Sequence, residues 1–165
     1  MSAEILLSDS PDPSPAAGDS PFAVRGGYER IVPWQRALLF FTGLILVSLL
    51  TTAALLNPDP HGLGTHQQLG LPPCSAIMLF GVRCPACGMT TSWSHLMHGQ
   101  LLRAAHANAG GLLLGLFSLA IGPWMLTSAA LGRWWLGAIH PAWLAAASGL
   151  IFTVTTAQWI WRVLL

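Results

Sequence analysis

Ala37 to Leu56 reads ALLFFTGLILVSLLTTAALL, a run without a charged residue. A helix rises about 1.5 Å per residue, so ~20 residues match the roughly 30 Å of hydrocarbon in a bilayer. The run predicts a membrane-crossing helix and sets the class of the whole chain. Two more uncharged stretches follow, at 109–131 and 142–161. The expected fold is an all-α membrane protein with three transmembrane helices, at about 37–56, 109–131 and 142–161, plus an interfacial amphipathic helix after a dithiol knuckle.

Composition agrees. Of 165 residues 53% are hydrophobic and 8% charged, against about a quarter charged in soluble domains. Six acidic residues nearly balance seven basic ones, none of them lysine. No basic run suggests nucleic acid or a polybasic lipid patch, so the bilayer is the expected partner, with a membrane protein or a second copy as candidates beside it. Most of the eight tryptophans lie near the ends of apolar stretches, as interfacial anchors do.

Residues 1–27 hold Pro11, Pro13, Pro15 and Pro21 among serines and aspartates, a composition that predicts a disordered tail. This tail lacks the positive start and apolar core of a secretory signal. The membrane domain then spans 28–165. Asn57-Pro58-Asp59-Pro60 ends the first helix, and Gly122-Pro123 predicts a kink in the second. Gly111 and Gly115, and Ala145 and Gly149, put small residues four apart, a spacing that lets helices approach closely. Arg25, Arg30, Arg36 and Arg133 fall on one side of this topology, and Arg83, Arg103 and Arg162 on the other. The excess of arginine before the first helix places the N-terminus in the cytoplasm and the cysteine segment on the outer face of a cell inner (plasma) membrane.

All three cysteines lie between the first two crossings, in a segment spanning 72–108. In Cys84-Pro85-Ala86-Cys87-Gly88 the spacing lets both sulfurs converge, and a left-handed Gly88 turns amides toward them. Cys74 is expected to fold back onto this pair across the short apolar turn Ala76–Phe80. Met89 to Ala107 reads as one amphipathic helix, with Met89, Trp93, Leu96, Met97, Ala104 and Ala107 on one face and His95, His98 and His106 on the other. Zinc takes four ligands in tetrahedral array, so Cys74, Cys84 and Cys87 with His95 or His98 form a candidate metal site. A polar stripe facing solvent or headgroups is the simpler account of the histidines. The start of a helix and Arg83 are both expected to lower the thiol pKa values of Cys84 and Cys87.

Cys74, Gly81-Val82-Arg83, the knuckle with Met89-Thr90, Gly99-Gln100-Leu101, Ala104 and Asn108 together resemble the signature of a family of small bacterial membrane proteins catalogued as a domain of unknown function. The resemblance covers about 72–131 and implies a short multi-pass protein, without an activity. Many members carry arginine where this chain has Thr91, and proline where it has Ala109. Two functions follow. We favour a noncatalytic module whose cysteine segment, held by zinc or a disulfide, docks a partner or shapes the bundle. The alternative is a membrane thiol–disulfide oxidoreductase with Cys84 as nucleophile and Cys87 resolving. No charge lies within the three crossings and no nucleotide motif is present, which argues against a proton path.

Overall fold

The computed structural model describes residues 30–59, 64–137 and 139–164, so the expected disordered tail, and Arg25 with it, lies outside the described residues. Pro33 opens helix α1 (Pro33–Leu55) at a position where its missing N–H is no loss. The helix therefore begins a turn before the uncharged run and takes Arg36 into its first turns. It ends at Leu56, already extended, as the prolines that follow require.

The second long apolar helix, α5 (Ala109–Leu131), has the bounds read from the sequence. It runs on through Pro123 without a break in the helix. The third, α6 (Pro141–Leu164), again starts on a proline. Each of the three stretches is long and apolar enough to cross a membrane, and the described residues form helices and loops without a strand. α1 and α5 approach closely where Gly43 faces Gly122. A Cβ on Gly43 would lie 3.1 Å from the Gly122 carbonyl oxygen, so only small residues permit this crossing.

Between α1 and α5 the chain makes four short elements: a 3₁₀ turn (Thr65–Leu69), then α2 (Ser75–Phe80), α3 (Met89–Met97) and α4 (Leu101–Ala107). The single amphipathic helix expected over 89–107 is two helices. His98 leaves helical geometry, Gly99 turns left-handed at φ 73°, and α4 restarts at Leu101. A Cβ disfavours that conformation, so the glycine sets the break.

Of the stripe expected to meet solvent or headgroups, His98 and His106 are exposed and only His95 is buried, while Leu96, Ala104 and Ala107 of the apolar face are buried as expected. Thr91, Ser92, Ser94 and His95 are buried because the ends of α1 and α5 leave backbone groups needing partners. The Ser94 hydroxyl donates to the Leu56 carbonyl at 2.7 Å and the Ser92 hydroxyl to the Asn108 carbonyl at 2.9 Å. Gly111 and Gly115 serve α3 rather than another crossing: a Cβ at Gly115 would meet Leu96 Cδ2 at 2.7 Å, and one at Gly111 the Met89 Cα at 3.3 Å. The second small face is idle, since Gly149 has nothing within 4 Å of where a Cβ would stand. Several tryptophans also depart from the anchor role. Trp93, Trp124 and Trp159 give their indole N–H to the Gly111, Trp135 and Arg83 carbonyls.

Candidate three-cysteine centre

Cys74 stands at the N-cap of α2, and Gly81 ends that helix in a left-handed turn that reverses the chain. Six residues of helix therefore do what the apolar turn 76–80 was expected to do. The Cys74 and Cys84 sulfurs lie 3.6 Å apart and those of Cys84 and Cys87 3.2 Å apart. All three fall within 4.8 Å of one another. No cysteine is in a disulfide. The group could hold a metal ion by its donor set.

The knuckle closes through its own backbone. The Cys87 N–H donates to the Cys84 carbonyl at 3.0 Å and the Met89 N–H to the Ala86 carbonyl at 3.1 Å. Gly88, at φ 85°, is left-handed as expected and caps α3. The pKa expectation needs correction. Burial and the neighbouring thiols push Cys87 up to about 12, so the helix start does not dominate there. Cys74 is the sulfur whose pKa falls, to about 7, through the Cys87 thiol and the N–H groups of Ile77 and Ala76 at the start of α2.

Asn108 joins this centre to the membrane helices. Its side chain, almost wholly buried at 1% exposure, donates to the Pro85 carbonyl at 3.0 Å and the Cys87 carbonyl at 3.2 Å. Its Oδ1 accepts from the Gly111 N–H at 2.7 Å and so caps α5. One amide thus holds both the knuckle and the first turn of a crossing. Residues 74–122 match the profile of a family described as protein of unknown function, DUF2752. The matched region runs from Cys74 across the knuckle and Asn108 to Gly122 in the middle of α5. No curated protein and no solved structure matches the chain.

The two departures from the family signature both have partners. Thr91 is buried and accepts a hydrogen bond from the Thr65 hydroxyl at 2.9 Å. Ala109 uses the N–H that a proline would lack, donating it to Gln158 Oε1 at 2.6 Å. Gln158 also donates to the Ala105 carbonyl at 3.0 Å, and Arg162 caps the carbonyls of His106 and Ala107. These α6 residues close the break between α4 and α5.

Among the described residues no histidine joins the 4.8 Å sulfur group. His95 is buried, with Nδ1 on Gln100 Oε1 at 2.8 Å, and the Nδ1 of His98 bonds the Ser94 carbonyl at 2.8 Å. Sequence reasoning missed His66. It lines a cavity of about 280 Å³ together with Cys74, Cys84 and Cys87. The only local signal is the Gly64 and Gly70 pair that brackets its 3₁₀ turn.

Proposed function

We propose that this protein is a noncatalytic membrane module whose cysteine segment is a structural unit built around zinc. The convergence of three sulfurs from two separate stretches of chain carries the proposal. Tetrahedral ligands at ~2.3 Å from zinc sit about 3.8 Å apart, close to the 3.6 Å between Cys74 and Cys84. A dithiol reagent needs two sulfurs, and a third held within 4.8 Å of both has more use in ligation. The N-terminus faces the cytoplasm in this proposal, and the cysteine segment lies on the outer face of an inner membrane, where it docks a membrane partner or fixes the bundle. Arg30, Arg36 and Arg133 at one end of the bundle support that orientation.

Zinc analysis of the full chain in detergent, paired with thiol counting before and after denaturation, tests the proposal. One zinc per chain and three thiols released on denaturation are expected. A zinc-free chain with a Cys84–Cys87 disulfide would overturn it. That outcome would favour the second reading, for which the 3.2 Å between Cys84 and Cys87 speaks. There the Cys84 thiolate attacks a substrate disulfide and expels one substrate thiolate. Cys87 then displaces the second and leaves an oxidised pair.

A further inference from the structure

We infer that His66 is the fourth ligand of this centre, binding through Nδ1; the inference rests on the zinc reading above. Three cysteines leave one tetrahedral position to fill. His66, Cys74, Cys84 and Cys87 line one cavity, which Gln67, Ile77 and the start of α3 complete. Neither His95 nor His98 lines it.

The tautomer of His66 is settled by chemistry. Its Nε2 lies 3.2 Å from the Pro72 carbonyl oxygen. A carbonyl only accepts, so Nε2 carries the proton and donates it. In the neutral ring Nδ1 then holds a lone pair, and it has no hydrogen-bond partner among the described residues. A ligating histidine commonly gives its other N–H to a backbone carbonyl, which orients the ring and raises its basicity. Here the orienting carbonyl belongs to Pro72, two residues before Cys74 in the chain.

The segment bearing His66 is anchored on both sides. Thr65, fully buried, accepts from the Asp59 N–H at 3.1 Å and donates to Thr91 of α3 at 2.9 Å. Gln68 bonds both backbone groups of Asn57, at 3.2 and 2.6 Å. The 3₁₀ turn is thereby tied both to the end of α1 and to the helix that follows the knuckle. The ring is half-buried and stands outside the 4.8 Å sulfur group. Ligation therefore requires Nδ1 to draw closer to the sulfurs within the cavity while the backbone and the bond to the Pro72 carbonyl are kept.

Zinc K-edge X-ray absorption on the zinc-loaded full chain in detergent reads the ligand set directly. The wild type is expected to show about three sulfurs at ~2.3 Å and one nitrogen at ~2.0 Å with imidazole scattering. His66→Ala and His66→Gln should keep the three sulfurs, lose the imidazole signal and bind zinc at least ~10-fold more weakly against a chelator. His95→Ala should keep the imidazole signal. A wild-type spectrum with three sulfurs and no imidazole, or a His66→Ala spectrum that retains it, overturns the His66 assignment and leaves the zinc reading standing. A wild type that binds no zinc overturns both.

Discussion

The two ends of α5 are both finished by side chains from other helices, yet by different means. At the C-terminal end one side chain takes two of the open carbonyls. Arg36 of α1 donates through Nε to the Ala129 carbonyl at 2.6 Å and through Nη2 to the Ala130 carbonyl at 3.1 Å. Beside it Ile31, Leu39 and Ala129 pack with Trp124, Met125 and Trp134. At the N-terminal end Asn108, Ser92, Gln158 and Arg162 are all committed to backbone groups. The difference lies in the chain path. A helix that simply ends leaves four carbonyls open, whereas one that breaks at Asn108 and restarts opens carbonyls on α4 and N–H groups on α5 together. The bend that presents the knuckle is what creates the need for polar partners.

Replacing Asn108 by leucine should have the largest effect, because it removes a helix cap and strands the Pro85 and Cys87 carbonyls. A loss of about 3 kcal/mol is expected, read by thermal unfolding in detergent. Arg36→Met should cost only about 1 to 2 kcal/mol. The reverse order would break the comparison. Next comes Gly110→Val, since a Cβ there would stand 1.7 Å from Thr155 Oγ1 and 3.1 Å from the Thr155 Cα. About 1 to 3 kcal/mol is expected for forcing α6 off α5, while Gly149→Val should leave the melting temperature unchanged. Gln158→Leu, which orphans the Ala109 N–H, should cost about 1 kcal/mol.

The smallest effect is on reactivity rather than stability. In the reduced, metal-free protein Cys74 alkylation should rise through about pH 7, while Cys87, pushed up to about 12, stays unmodified to at least pH 9. A lowered thiol pKa in the folded chain favours folding where the thiolate forms. Its contribution is therefore complete above the usual thiol range and fades as pH falls through 7. Equal alkylation of Cys74 and Cys87 at every pH, measured by mass spectrometry, would contradict the assigned environments.

The three long apolar helices were legible because length without charge is a one-dimensional property, and α5 runs over the bounds read from the sequence. Gly88 and the approach of Cys74 were legible for a similar reason, since short spacing limits where a chain can go. The segment over 89–107 was not. Its apolar residues keep one helical phase on both sides of Gly99, so periodicity alone could not show the turn. Nor could it show that Ser92 and Ser94 face inward, because their acceptors lie at Asn108 and Leu56. Asn108 stood out as a signature residue, but its three side-chain bonds join residues 85, 87 and 111, which only the fold brings together. His66 carried no signal of its own within a loop rich in glycine and proline.

The placement of Gln158 and Arg162 near the end of α6 bears on the order of assembly. A ribosome synthesises α1, the cysteine segment and α5 before it makes these two side chains. Until then the Ala109 N–H and the carbonyls of Ala105, His106 and Ala107 lack the partners they have in the finished fold. A chain that has α5 but not yet the end of α6 thus has an unsealed joint beside its sulfurs. Helix α6, with no buried residue of its own, completes the protein by sealing it.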